Sequence, residues 1–241
     1  MTGSYVYAIV PAGAPVPAGL AGIGGRACRV TGARGAVAAL VSPMPDRPLG
    51  TAADLRAHAG VIDAVARSSA VLPLRFGGVL ADEDAVADEL LDRNEEEFAD
   101  RLAWLRDCDQ FTVKARYQGD VALREIVSEE PEIMRLREQV RGGDPVACRD
   151  QNLQLGELVA AALRRKRQAD TEIVAAALAP HAVAIAEHQG TAPDVAADLA
   201  FLVERPGQRP FERAAEKIGQ QWRDRIRLRL VGPQAPYDFT Q

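Results

Sequence analysis

"RIRLRLV", residues 225–231, decides the fold of the second half of the chain. Ile226, Leu228 and Leu230 alternate strictly with Arg225, Arg227 and Arg229. A period of two belongs to a strand with one face on a core and cannot serve a helix. Just before it, "RPFERAAEKIGQQW" (209–222) sets Phe211, Ala215, Ile218 and Trp222 on one helical face. Further back, "DLAFLVE" (198–204) and "AVAIAEH" (182–188) read as strands joined by a Gly190–Pro193 turn. Residues 120–141 and 150–179 read as helices, and "FTVKARY" (111–117) as a strand. Strand, helices, strand, strand, helix, strand is the βαββαβ order of a ferredoxin-like domain. We place it at residues 108–241, with its first helix replaced by a long helical pair that turns at Gly142 to Pro145.

The first half, residues 1–107, reads as a separate α+β domain of mixed strands and helices. "SYVYAIV" (4–10) is rich in β-branched and aromatic types and stops at Pro11, as a strand does. "RACRVTG" and "GAVAALVS" read as two further strands bounded by Gly32, Gly35 and Pro43. Thr51 and Asp54 have the spacing of a capping box, with Leu55, His58, Ile62, Val65 and Ser69 recurring at helical spacing behind it. "VLPLRF" (71–76) reads as a strand that Pro73 confines to an edge or a bulge. Asp82 can cap a helix whose buried stripe is Val86, Leu90, Phe98, Leu102 and Leu105, with the charge run "RNEEEFADR" on its solvated face.

Composition excludes several classes of function. At 47% hydrophobic and 26% charged, the chain is neither disordered nor membrane-spanning in character. Its first 25 residues are uncharged but broken by Pro11, Pro15 and Pro17, so they make neither a signal peptide nor a spanning helix. Cys28, Cys108 and Cys148 are too widely spaced for a disulfide framework or a zinc knuckle and fit a reducing cytoplasm. A net charge of −5 argues against nonspecific nucleic-acid binding.

The chemical motifs are weak. "GIGGRA" (22–27) has the spacing of a pyrophosphate-binding glycine loop, but strand-like residues follow where a helix should open, so it reads as a flexible loop. His58 falls on an apolar helical face, as a core or interface histidine does. His181 and His188 are seven apart on a strand candidate and so cannot form a metal pair. "RRKR" (164–167) and the arginine face of the last strand could hold phosphates, and RNA-recognition domains share this topology. The aromatic signature of those domains is absent. Arg75, beside the Pro73 defect, either pairs with a carboxylate or faces a partner. No catalytic triad, metal motif or cofactor loop is present, so the reading is a non-enzymatic protein without cofactor.

The chain ends on "LVGPQAPYDF" (230–239), where Pro233 and Pro236 stiffen the backbone and lower the entropy cost of docking Tyr237 and Phe239. "YVYAIV", "AVAALVS", His58 ahead of "VLPLRFG", "AFLVER" (200–205) and this tail occur in the order and spacing of the gas vesicle protein F/L family. The chain resembles that family over nearly its whole length. It departs at Gln234 and Ala235, where the family often has Trp and Pro, and at Gly78, where Thr is common.

The resemblance implies a cytoplasmic accessory protein of gas vesicle formation. Its partners would be the small hydrophobic shell protein and other accessory proteins, not nucleic acid or a lipid membrane. It would keep the shell protein soluble or deliver it, and could stay on the nascent or finished vesicle as a minor component. The alternative is a ferredoxin-like ligand- or nucleic-acid-binding regulatory module. Candidate partner-binding or interdomain residues are His58, Arg75, Phe76, Pro233, Pro236, Tyr237 and Phe239. The two tail aromatics are expected to pack back on the N-terminal domain rather than on the shell protein.

Overall fold

A computed structural model describes residues 3–143, 147–188, 190 and 192–240. It divides into two units. One comprises Met1–Gln110, Leu202–Arg205 and Gly232–Gln241, the other Phe111–Phe201 and Pro206–Val231.

The first unit is built on β1 (Ser4–Pro11), which pairs antiparallel with β3 (Val37–Pro43), itself paired with β2 (Arg29–Arg34). On the other side of β1 lie two two-residue strands, β4 (Leu72–Pro73) and β5 (Val79–Leu80). A register shift between Val6 and Ala8 breaks the alternation of β1, so Tyr5 and Tyr7 and then Ala8 and Val10 all join one core cluster. The opposing side of that cluster is helix α1 (Ala52–Ala66), through Val61, Ile62, Val65 and Ala66. Thr51 accepts from the Asp54 amide and the Asp54 carboxylate accepts from the Thr51 amide, so the expected capping box is present.

Several sequence expectations in this unit need correction. Leu55 is 50% exposed, because the inward face of α1 runs through His58, Val61, Ile62 and Val65. "VLPLRF" is a strand only at Leu72–Pro73. The helix expected after Asp82 is interrupted: one α-helical turn, α2 (Glu83–Ala85), leads into a π-helical stretch at Val86–Leu91, and α3 (Glu95–Trp104) follows. "GIGGRA" is a tied turn and not a flexible loop. The Gly22 amide donates to Arg26 O at 2.7 Å and Cys28 N to Leu20 O at 3.0 Å. A Cβ on Gly22 would lie 2.1 Å from the Tyr7 hydroxyl oxygen, so the glycine serves the close approach of Tyr7.

The second sheet has the order β7-β8-β6-β9, formed by β6 (Cys108–Tyr117), β7 (Ala184–Glu187), β8 (Val195–Glu204) and β9 (Ile226–Gln234). With β6 as the first strand, this is the 2-3-1-4 arrangement of a ferredoxin-like fold. The helical insertion has three members: α4 (Val121–Glu129), α5 (Pro131–Val140) and the 30-residue α6 (Arg149–Leu178). Pro131 at the first position of α5 separates it from α4, which the sequence had joined in one helix. Asp144 to Val146, within the expected turn, and Thr191 lie outside the described residues. α7 (Gln208–Gln221) packs Phe211 against Phe111 and Phe201, each pair with centroids 5.3 Å apart.

Candidate functional site

The sequence-predicted residues of the first unit gather around α1. On its inner face His58 is 6% exposed and fully hydrogen-bonded. A carbonyl can only accept, so the ring Nε2–H donates to Leu74 O at 3.1 Å, and Nδ1 accepts from the Tyr5 hydroxyl at 2.9 Å. That hydroxyl in turn accepts from the Gly77 amide at 3.1 Å. The Tyr7 ring stacks on the imidazole at 5.7 Å, and Phe76 meets it edge-on at 5.7 Å. Burial pushes His58 below the ordinary imidazole value, so the ring stays neutral, as this bonding requires.

This network shapes the segment between β4 and β5. Leu74 N donates to Tyr7 O, and Val6 N donates to Gly78 O, so both ends of the segment are pinned to β1. Between them Gly77 adopts φ +100°, a conformation that favours glycine and lets the chain turn over the Tyr5 hydroxyl. Phe76 turns inward to His58 and Tyr5, and Arg75 turns outward. Arg75 is exposed and has no hydrogen-bond or ion-pair partner among the described residues. The loop backbone is therefore held on both sides of Arg75, and its guanidinium faces solvent.

The tail lies on the same unit. Ala235 is fully buried and its amide donates to Asp63 Oδ1 at 3.0 Å, a bond that the proline often found here in the family could not make. The Tyr237 hydroxyl lies 3.3 Å from both Ala59 O and Asp63 Oδ1. Burial, with the nearby Asp63 charge, pushes that phenol well above its usual range. Gln110 and Asp238 exchange two bonds: Gln110 Nε2 donates to Asp238 Oδ2 at 2.5 Å, and Asp238 N donates to Gln110 Oε1 at 3.0 Å. Phe239 is 6% exposed and meets the Trp104 ring edge-on at 6.3 Å. Pro236 is buried, whereas Pro233 is exposed. Tyr237 and Phe76 both pack against the α1 core cluster, Phe76 beside His58 and Tyr237 beside Asp63.

Sequence reasoning missed the residues that hold these groups. Tyr5, Asp63 and Gln110 carried no chemical motif. Arg205, the last residue of "AFLVER", donates from Nη2 to Ala66 O at 2.6 Å, placing a cation at the C-terminal end of α1. The only legible signal was the long-range clustering of polar residues beside apolar runs.

The second unit contains a buried ionic network. Arg225 makes a bidentate pair with Asp170, two bonds of 2.7 Å, and its Nε donates to Glu125 Oε1 at 2.7 Å. The Tyr117 hydroxyl donates to Asp170 Oδ2 at 2.5 Å, and Lys166 pairs with Glu125 and Glu129. Arg225 therefore does not share the outward face of Arg227 and Arg229. The "RRKR" run is similarly committed: Arg165 pairs with Glu130, and Arg167 donates to the carbonyls of Val195, Gly190 and Ala192. Three of its four members, Arg165, Lys166 and Arg167, thus already have partners within the unit.

Burial pushes the Cys28 and Cys108 thiols up to about 11, away from the thiolate form that reacts. Among the described residues no group of three or more His, Cys, Asp or Glu is placed to hold a metal ion, and no helix is long and apolar enough to cross a membrane.

Comparison with known proteins agrees with the architecture. The sequence model for gas vesicle synthesis protein GvpL/GvpF matches residues 3–241. Gas vesicle protein F of Streptomyces sp. (strain CB03234) is 35% identical over 243 residues, covering 99% of both chains. The crystal structure of GvpF from Anabaena sp. PCC7120 aligns with TM-score 0.87 at 22% identity, over 100% of this chain and 99% of the other. That of GvpF from Microcystis aeruginosa aligns with TM-score 0.82 at 23% identity, over 100% of each chain.

Proposed function

The chain belongs to the GvpL/GvpF family of gas vesicle synthesis proteins, and from that premise we propose that it is a non-enzymatic assembly factor that binds the small hydrophobic shell protein. The observation that carries the reading is the Arg75 loop. A buried Tyr5–His58 network holds the loop that carries an outward arginine with no counter-ion among the described residues, which suits a partner-contact residue better than a structural ion pair. A shell subunit that coats a gas space carries an apolar face that aggregates in water unless covered. Holding that subunit in solution and releasing it to a growing vesicle requires contacts but no chemistry. The chain acts in the cytoplasm, at the nascent vesicle, alongside other accessory proteins.

The tail serves this function indirectly. Ala235 and Tyr237 bond to α1, Phe239 packs on Trp104, and His58 bonds the Arg75 loop, so the tail is a structural support and the loop is the contact. Co-expression with the shell protein tests the proposal. The chain should move shell protein from the sedimenting to the soluble fraction and co-purify with it. Arg75→Glu should abolish both effects at unchanged melting midpoint. No change in sedimentation with the wild-type chain, and no co-purification, would refute it.

A further inference from the structure

The second sheet of the molecule carries a cationic face that nothing in the assembly reading uses. On β6 the side chains alternate: Phe111, Val113, Ala115 and Tyr117 are buried, while Lys114 and Arg116 are exposed. On β9 Ile226 is buried and Leu228 and Leu230 are half-buried, while Arg227 and Arg229 are exposed. β6 and β9 are neighbours in the sheet, so the exposed members of both strands lie on its open side. The Gln118 amide, just past the end of β6, donates to Arg225 O, just before β9, so the two strands run in opposite directions. The exposed residues of both strands, Lys114 and Arg116 on β6 and Arg227 and Arg229 on β9, therefore line one face of two adjacent antiparallel strands.

Like charges gathered on one face of neighbouring strands are destabilising. The fold thus keeps four cations on one face of two adjacent strands, spaced by two residues, about 7 Å, along each strand. Arg116 pairs with Asp194 at 2.6 Å. Asp198 on β8 pairs with His188. Lys114, Arg227 and Arg229 have no hydrogen-bond or ion-pair partner among the described residues. Such an arrangement repels itself in the free protein and is relieved by an anion.

We propose that this face, Lys114 and Arg116 with Arg227 and Arg229, is a docking surface for an acidic segment of a protein partner. Carboxylates at alternate positions of an extended segment recur at about 7 Å, the spacing of the cations along each strand. Arginine forks suit carboxylates, and β9 is an edge strand, open for a segment to lie beside it. Nucleic acid fits less well. Sheets that bind single-stranded RNA stack its bases on exposed aromatics, and Phe111, Phe201 and Tyr117 are all turned into the core. This inference is independent of the shell-protein reading and of the Arg75 loop.

The test is fluorescence anisotropy on the full chain with a labelled peptide of six Glu-Ser repeats, in low salt and again at physiological salt. The expected result is saturable binding that weakens with salt, as exposed ion pairs do. Arg227→Ser with Arg229→Ser should weaken it about tenfold, the effect of losing two surface ion pairs. The same variant should melt no lower than wild type, because it removes repulsion. Arg213→Ser with Lys217→Ser, on the exposed face of α7, should leave binding unchanged. Arg227→Glu with Arg229→Glu should lose the acidic peptide and gain a Lys-Ser peptide of equal length. Three results would overturn the proposal: no binding in low salt, equal losses in the β9 and α7 variants, or tighter binding of a 12-nucleotide oligothymidylate than of the peptide.

Discussion

Phe239→Ala removes a ring that is 6% exposed, and the structure sets the size of the loss. Truncating a fully buried phenylalanine costs about 3–5 kcal/mol. Two features place this site at the low end. Phe239 closes a three-residue 3₁₀ turn, Tyr237–Phe239, near the end of the chain, which can settle into the gap. One wall of its pocket is Trp104, itself 44% exposed. A cost of about 2–3 kcal/mol follows. At roughly 2–4 °C per kcal/mol for a chain of this length, the midpoint should fall by about 4–12 °C.

Tyr237→Phe is the control. It keeps the ring and removes only a hydroxyl whose two bonds are long, 3.3 Å each, so it should cost about 1 kcal/mol or less. The double variant Tyr237→Ala, Phe239→Ala should cost less than the sum of its parts, because losing either aromatic already loosens the other. Differential scanning calorimetry measures all three. A Phe239→Ala midpoint within about 1 °C of wild type would refute the reasoning, since a ring that braces the unit cannot be removed without effect.

Acid should act through His58. Its folded-state value lies below the ordinary one, so the unfolded chain takes up the proton first. Stability should be constant above about pH 7 and decline as the pH falls below about 6.5, the ordinary value. The groups facing the ring are the Tyr5 hydroxyl, the Leu74 carbonyl and the Tyr7 and Phe76 rings, none of which carries a negative charge, and burial outweighs the help the Leu74 carbonyl gives the protonated ring. His58→Phe should be less stable at pH 8 but lack this decline; melting curves between pH 8 and 5.5 check it. Asp54, held well below the usual carboxylate range by Arg47, affects stability only in more acidic solution. Gly22→Ala would drive a Cβ into Tyr7, whose ring is fully buried, and should cost about 2 kcal/mol by calorimetry.

Local order was legible in the sequence wherever one element carried its own evidence. The alternation in "RIRLRLV", the Thr51–Asp54 cap and the apolar stripe of α7 each specified an element by themselves. Features that depended on distant partners were not legible. Period two grouped Arg225 with Arg227 and Arg229, yet Asp170 and Glu125, 55 and 100 residues away in sequence, draw it into the interior. "VLPLRF" has strand composition throughout, but the chain leaves the sheet after Pro73 because the Tyr5 hydroxyl and His58 bind the following backbone. The inward direction of α1 likewise depended on which side β1 occupied, so Leu55 could not be distinguished from Ile62. The sequence could nominate His58, Arg75, Phe76 and the tail aromatics as candidates, but it gave no sign of Tyr5, Asp63, Gln110 or Arg205, whose hydrogen bonds surround them in the fold.

Vesicle formation in the cell tests the central claim most directly. In a vesicle-forming strain lacking the chain's own gene, complementation with wild type should restore buoyant vesicles, and Arg75→Glu, expressed at equal level and equally stable, should not. Vesicle yield measured by flotation and electron microscopy would contradict the account if Arg75→Glu restored vesicles as fully as wild type.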